Sequence, residues 1–301
     1  MNNTSSSTDS KNDSAPASDN GSAAYWTEHM VARSAFNTAE DSLAHFHWRN
    51  AQYPGYIDLM PVSNQDEKIV LDYGCGPGND VVGLANYSNT SKIIAIDVSR
   101  TALSVAQQRL ALHNKTAEFI HIDENTNAIP LPDESIDYIH TSGVLHHCKN
   151  LDAVLMEFHR ILKHDGTISV MVYNSQSLWL HLYTAWICQL DQGKYQDLSV
   201  KEAFRRTTDG EECPISHCYT PSEFISLVNK HGFEGSFKGA SISIDEMRWL
   251  GRRFDAIADR RLPAEHRNFL SALTFDEHGI PRYEGVVAGI NACYSFKKSS
   301  L

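Results

Sequence analysis

The stretch Gly74-Cys75-Gly76-Pro77-Gly78 restricts the fold of this chain more than any other feature. It follows Lys68-Ile69-Val70-Leu71-Asp72-Tyr73, a short apolar run without clean polar alternation. Such a run reads as a strand buried on both faces, and strands of that kind belong to parallel sheets covered by helices. Three glycines in five residues permit positive φ and let backbone approach a neighbour closely. A helix is expected over residues 80–87, so the opening unit is strand, glycine turn, helix.

The alternation continues. Strands are expected over residues 92–96, 119–122, 138–141 and 167–173. Ser99 is placed to cap a helix reaching about residue 113, and residues 151–162 form an amphipathic helix with Gly166 as its stop signal. Residues 233–238 and 292–296 read as two more strands. The fold class is therefore α/β: a Rossmann-like, doubly wound, mostly parallel seven-stranded sheet. Helical insertions follow the fifth strand and precede the last, the second of them over residues 241–283. Residues 25–60 ahead of the sheet carry helical apolar spacing interrupted by Pro54. In sheets of this type ligands bind beyond the carboxyl ends of the strands, so the residues just after each strand are where chemistry is expected.

At 301 residues with 42% hydrophobic composition, the chain can bury a sizeable core. No apolar run reaches the length of a membrane span and no secretory signal opens the chain, which implies a cytoplasmic protein. The six cysteines are scattered and are expected to be reduced thiols. A formal charge of −11 disfavours nucleic acid as partner. The cluster Arg248, Arg252, Arg253, Arg260 and Arg261 reads as a helix surface paired with Asp245, Asp255 and Asp259.

Asp97 stands at the end of the second strand, 23 residues beyond Gly74, where a carboxylate can accept from both ribose hydroxyls. Glycine turn and acidic residue together indicate an adenine-nucleoside cofactor. Three details favour S-adenosylmethionine over NAD. The glycines are spaced G-x-G-x-G, and Pro77 removes an amide that would face a pyrophosphate. Asp72 and Asp80 flank the loop; carboxylates repel a pyrophosphate but attract a sulfonium and an ammonium.

The residues from Val70 to Gly78 resemble the first motif of the class I S-adenosylmethionine-dependent methyltransferases. Ile96-Asp97-Val98-Ser99 resembles the ribose-binding motif of that family, Ile129-Pro130-Leu131-Pro132-Asp133-Glu134-Ser135-Ile136-Asp137 the approach to its fourth strand, and Ser142-Gly143-Val144-Leu145-His146-His147 its post-strand motif. Glu157-Phe158-His159-Arg160-Ile161-Leu162-Lys163 resembles the helix before the fifth strand. The likeness covers about residues 68–174 and is closest to the broad group acting on small molecules, type 11-like. It implies that Asp72 and the backbone of Gly74, Cys75 and Gly76 hold the methionine end, that Asp97 takes the ribose and that Val98 packs on adenine. It also implies that Ser142 closes the floor under the sulfonium, and that an acidic or amide residue after the third strand meets the adenine amino group. Counting from the strand selects Asp123, counting back from Pro130 selects Asn125, and the sequence leaves both open. On this reading residues 1–22 are a disordered tail and 23–301 a single methyltransferase domain. Within it, 23–66 form a helical lid, 67–174 the cofactor-binding core, and 175–301 the substrate-pocket insertions and last two strands.

Methyl transfer requires alignment and exclusion of water, and a base only when the acceptor is a hydroxyl or carbon acid. His146, His147 and His217 are the candidate bases, each with an alternative as an ordinary hydrogen-bonding histidine. Tyr25, Trp26 and Trp48 precede the sheet and are lid candidates. Asn174, Trp179, Asp209 and Tyr219 are substrate-side candidates, the last two from the polar stretch 207–219. Cys213, His217 and Cys218 match no common zinc spacing, so no metal is expected. The favoured function is transfer of a methyl group to O, C or N of a small molecule. A non-catalytic cofactor-binding partner subunit and a macromolecule-directed methyltransferase are the alternatives; an NAD-dependent oxidoreductase is disfavoured by Pro77 and Asp72.

Overall fold

The computed structural model describes residues 21–30, 35–125 and 128–299. The tail expected over residues 1–22 lies outside the described residues except at its end, where Ser22 already opens a helix. Seven strands build the main sheet: β1 (Ile69–Tyr73), β2 (Lys92–Asp97), β3 (Glu118–His121), β4 (Ile136–Ser142), β5 (Leu162–Asn174), β6 (Phe233–Ser241) and β7 (Asn291–Lys298). Their spatial order is β3-β2-β1-β4-β5-β7-β6. The first five pair in parallel. β7 runs antiparallel to both β5 and β6, with a register shift between Cys293 and Tyr294. A two-residue strand, Cys218–Tyr219, adds to the end of β5 in parallel and was not expected.

Alternate residues of the central strands enter opposite cores, as a sheet buried on both faces demands. Leu71, Ile94, Ile96 and Ile139 pack with Leu155, Phe158 and Ile168 on one face. Val70, Ile93, Ala95 and Tyr138 pack with Phe46, Val81 and Leu84 on the other. Among the described residues three helices precede β1: α1 (Ser22–Glu28), α2 (Ala39–Ala51) and α3 (Tyr56–Leu59). Asn79–Tyr87 forms α4 after the glycine turn, and Arg100–Leu112 forms α5, capped by Ser99 Oγ accepting from Ala102 N at 3.2 Å. The next helix, Leu151–Ile161, does not end at Gly166. Leu162 turns to an extended conformation and starts β5 at once, and Gly166 lies within that strand.

Beyond β5 the chain forms a helix of the wide π type over Trp179–Asp191, where Gln192 N donates to Ile187 O five residues back at 2.9 Å. It is much longer than the single turns in which that geometry usually occurs. The insertion before β7, expected to be mostly helical, has helices at Ile244–Trp249, Arg253–Ala258 and Ala264–Ser271. It ends in a three-stranded antiparallel sheet of Thr274–Phe275, Pro281–Tyr283 and Val286–Val287. Leu182, Trp186, Ile242, Leu262 and Phe269 form its separate core. Of the arginine cluster, Arg248 pairs with Asp245 and Arg261 with Asp259, whereas Arg252 reaches Asp191 rather than Asp255. All six cysteines are unpaired.

One carboxylate locks the insertion to the sheet. Glu246 is fully buried and accepts from Trp179 N at 3.0 Å, Ser243 N at 2.9 Å and Ile290 N at 3.2 Å. Removing it orphans three buried amides from three segments. Glu246→Ala is therefore expected to lose roughly 3 kcal/mol or more of stability, read as a lowered urea midpoint at unchanged slope, with Glu246→Gln milder.

Candidate active site

The sheet order reverses between β1 and β4, and the cavity opens there, at the carboxyl ends of the strands. The turn after β1 holds Gly74, Gly76 and Gly78 at φ of 76°, 52° and 79°. Gly74 N and Cys75 N both donate to Ile96 O, at 2.8 and 3.0 Å, which ties the turn to β2. A Cβ at Gly78 would meet Ala106 Cβ at 2.8 Å, so the turn also packs tightly on α5. A Cβ at Gly76 would meet nothing within 4 Å; this glycine faces the cavity. Its amide donates to Asp97 Oδ2 at 2.8 Å, while Asp97 Oδ1 accepts from Ser99 N at 2.8 Å. Burial raises the Asp97 carboxyl above its ordinary range even against these donors.

Asp72 and Asp80 stand on either side of the turn in different electrostatic states. Asp80 is buried but faces Arg49 Nη1 at 3.2 Å and His140 Nε2 at 3.4 Å. Burial opposes its ionisation, and Arg49 and His140 more than offset it, holding the carboxyl well below the usual range. Asp72 has no such partner. Its Oδ2 is buried without a hydrogen bond, and burial, eased in part by His140, pushes the carboxyl up to about 7. A buried carboxylate facing a cavity without a counter-ion is suited to a cationic ligand group. Arg49 also reaches Ser142 Oγ at 3.4 Å and lies over the Tyr56 ring at 5.0 Å, and Tyr56 Oη hydrogen-bonds Ser142 Oγ.

The cavity measures about 320 Å³. Of the residues selected from the sequence, Asp72, Gly74, Cys75, Gly76, Asp97, Val98, Ser142, Trp26, His147 and Asp209 line it. Beyond β3 its wall is Ile122 and Glu124. Asp123 and Asn125 are exposed, with Asp123 Oδ1 accepting from Asn125 N at 2.9 Å. Glu124 Oε1 accepts from Ala23 N at 3.3 Å and so anchors α1. At the far end His147 Nδ1 bonds Ile215 O at 2.6 Å, and its Nε2 stands 3.7 Å from Asp209 Oδ1. Asp209 accepts from Tyr173 Oη at 2.8 Å, Thr208 Oγ1 at 2.7 Å and Ser216 Oγ at 3.1 Å. Tyr25 Oη donates to the Asp209 carbonyl.

Other candidates lie elsewhere. His146 is fully buried against the Tyr173 ring at 3.9 Å, both ring nitrogens lack partners, and burial holds it well below its ordinary pKa. His217 and Tyr219 border a separate outer groove with Lys201 and Glu223. Asn174 Nδ2 donates to Gln176 O and Gly289 O, both at 3.0 Å, bracing the exit of β5. Trp179 packs on Trp249 in the insertion and donates to Thr207 Oγ1 at 3.3 Å. Trp48 is 58% exposed and takes no part in the cavity. The sequence reading did not select Arg49, Tyr53, Tyr56, Met171 or Tyr173, all of which line it. Tyr173 was within reach of the strand-end rule, since it is the last residue but one of β5. Arg49, Tyr53 and Tyr56 follow a helical i, i+4, i+7 spacing, which in sequence is the pattern of ordinary packing.

Fold and site together define a nucleoside-cofactor-binding α/β domain with an uncompensated carboxylate for a cationic group. Comparison with known proteins agrees. The profile of a methyltransferase domain family matches residues 64–252, more than half of the chain. An uncharacterized methyltransferase of Schizosaccharomyces pombe is 28% identical over 142 residues, covering 44% of this chain and 49% of that protein. The ubiquinone/menaquinone biosynthesis C-methyltransferase UbiE of Xanthomonas campestris pv. campestris is 32% identical over 106 residues, covering 35% and 42%. The chain thus spans less than half the length of these curated relatives. The structure of YcgJ from Bacillus subtilis superposes with a TM-score of 0.50 at 16% identity, covering 87% of this chain and 100% of that one, a likeness of fold. The chain belongs to the methyltransferase domain family, class I, whose cofactor is S-adenosylmethionine.

The ionisation of Asp72 has a measurable sign. Its carboxyl titrates near 7 in the folded chain against an ordinary 3.8, so between these values the native state holds a proton that the unfolded chain has lost. Its contribution to stability is present below 3.8 and is lost as pH rises to about 7. In ligand-free protein, wild type minus Asp72→Asn should therefore show stability declining with pH across that window, measured as denaturant midpoints at a series of pH values.

Proposed function

We propose that this protein transfers the methyl group of S-adenosylmethionine to O, C or N of a small molecule held between the glycine turn and the His147–Asp209 pair. The observation that carries this reading is the continuity of the cavity. One space of about 320 Å³ joins the acidic turn to a polar pole at its far end, a size within the range of small-molecule sites, about 300–1,000 Å³. Asp97 is placed to accept from ribose hydroxyls, Asp72 to meet the ammonium, and Gly76 to let the ligand lie against backbone. Val98, Ile122 and Glu124 are the wall for the adenine. When bound, the cofactor supplies a methyl carbon activated by its sulfonium.

This chain's residues do the rest by enclosure and proton handling. Trp26, Met30, Tyr53, Met171 and Tyr173 give the acceptor half aromatic and apolar walls that exclude water. His147 Nδ1 must carry the ring proton, because its partner, the Ile215 carbonyl, can only accept. Nε2 is then left with a lone pair. Burial lowers the His147 pKa and Asp209 works in the other direction, so the ring is neutral and able to take a proton from an acceptor hydroxyl or carbon acid. A charge of −11 supports a substrate other than nucleic acid. No helix among the described residues is long and apolar enough to cross a membrane, and six unpaired thiols fit a reducing compartment such as the cytoplasm.

Calorimetric titration with S-adenosylhomocysteine should give binding that Asp97→Ala weakens about 10- to 100-fold, the worth of a lost charged hydrogen bond. Binding equal in the variant would move the ribose site elsewhere. Incubation of a cell extract with methyl-labelled cofactor should place label in the low-mass fraction; label confined to protein or RNA would overturn the small-molecule reading. For a hydroxyl or carbon acceptor, His147→Ala should lower kcat about 10²- to 10⁴-fold, with binding of S-adenosylhomocysteine unchanged.

A further inference from the structure

We propose that His147, Asp209 and Cys213 form a site for one divalent ion of the zinc class at the wall of the acceptor cavity. An imidazole nitrogen, a carboxylate oxygen and the Cys213 Sγ all lie within 4.8 Å of one another. The His147 Nε2 to Asp209 Oδ1 separation is already 3.7 Å. Tetrahedral zinc with N, O and S ligands at about 2.0–2.3 Å keeps its donors roughly 3.3–3.7 Å apart, so closure needs only a small movement of the thiol.

The surroundings are those of a ligand set. His147 Nδ1 is held by the Ile215 carbonyl at 2.6 Å, which fixes the tautomer that presents Nε2. Tyr173, Thr208 and Ser216 hold the Asp209 carboxylate by hydrogen bonds. Cys213 Sγ donates to the same Ile215 carbonyl at 3.3 Å, so one backbone oxygen fixes both the thiol and the imidazole through its Nδ1. The backbone builds this locally: Cys213 N donates to Gly210 O at 3.2 Å, and Gly210 takes a φ of 100° that favours glycine. Cys213 is completely buried, yet neither the proposed methyl transfer nor the apolar cores use it. Burial, with Asp209 nearby, keeps its thiol protonated, near 12. On binding, the S–H bond is replaced by an S–metal bond and the proton leaves to solvent. His147 and Asp209 line the cavity, so the fourth position faces it.

The site stands on the geometry of three side chains and holds whatever the acceptor is. It uses the Nε2 lone pair, so an occupied site and a His147 base exclude one another. The test is titration of chelator-treated protein with Co²⁺, which reports thiolate ligation by a near-ultraviolet charge-transfer band. One equivalent per chain with that band is expected. Cys213→Ser should lose the band, and Asp209→Asn should weaken binding at least about tenfold. Calorimetric binding of S-adenosylhomocysteine by each variant verifies its fold and is independent of the metal. Absence of the band in wild type, or its persistence in folded Cys213→Ser, would overturn the site.

Discussion

The site depends on the unequal treatment of two carboxylates at the carboxyl end of the central strand. Asp72 and Asp80 are both buried, and two bare charges so close would be costly. Arg49 and His140 stand in ion-pair contact with Asp80 and act on Asp72 only partly, leaving its carboxyl raised by burial. The first comes from α2, before the sheet, and the second from β4 beside β1, so helix, glycine turn and adjacent strand must all be in place before Asp80 is paired. What remains is Asp72, whose Oδ2 has no partner and which faces the cavity. Fold and ligand recognition are thus one electrostatic arrangement: the first pair closes the structure, and the second carboxylate is left for what binds.

The parallel core was legible because its residues obey a local rule. Each strand has a short apolar segment followed by a recognisable stop, though the polar start of β5 over residues 162–166 was not legible, and Asp97 lies where the nucleoside-binding pattern requires it. The N-terminal contribution was not legible. Arg49, Tyr53 and Tyr56 straddle the break at Pro54 with no motif to mark them, and only the contacts of Arg49 and Tyr56 with Ser142 at the end of β4 make them part of the wall. The end of β3 was not legible for a different reason. Counting proposed Asp123 or Asn125, but the chain turns so that Glu124 faces inward, while the other two bond each other outside.

Of the polar stretch singled out after the π-type helix, only Asp209 lines the cavity. Around the short strand Cys218–Tyr219 the side chains alternate: Ser216 and Cys218 are buried, and His217 between them is exposed. That alternation sends His217 to the outer groove. Asp209 and Cys213 come from the turn before it and face the other way, towards His147. Cys213, His217 and Cys218, close together in sequence, matched no metal-ligand spacing, and the group that does come together, Cys213 and Asp209 with a histidine 66 residues before Cys213, is not a sequence pattern at all.

α1 is only seven residues long, yet it touches both ends of the cavity. Ala23 bonds Glu124 beside the nucleoside end, Thr27 Oγ1 lies 2.9 Å from Ser99 Oγ, and Trp26 and Tyr25 reach His147 and Asp209 at the other. A single short helix therefore ties the β3 end of the cavity wall to its His147–Asp209 end, so that a change in packing at one end is carried mechanically to the other.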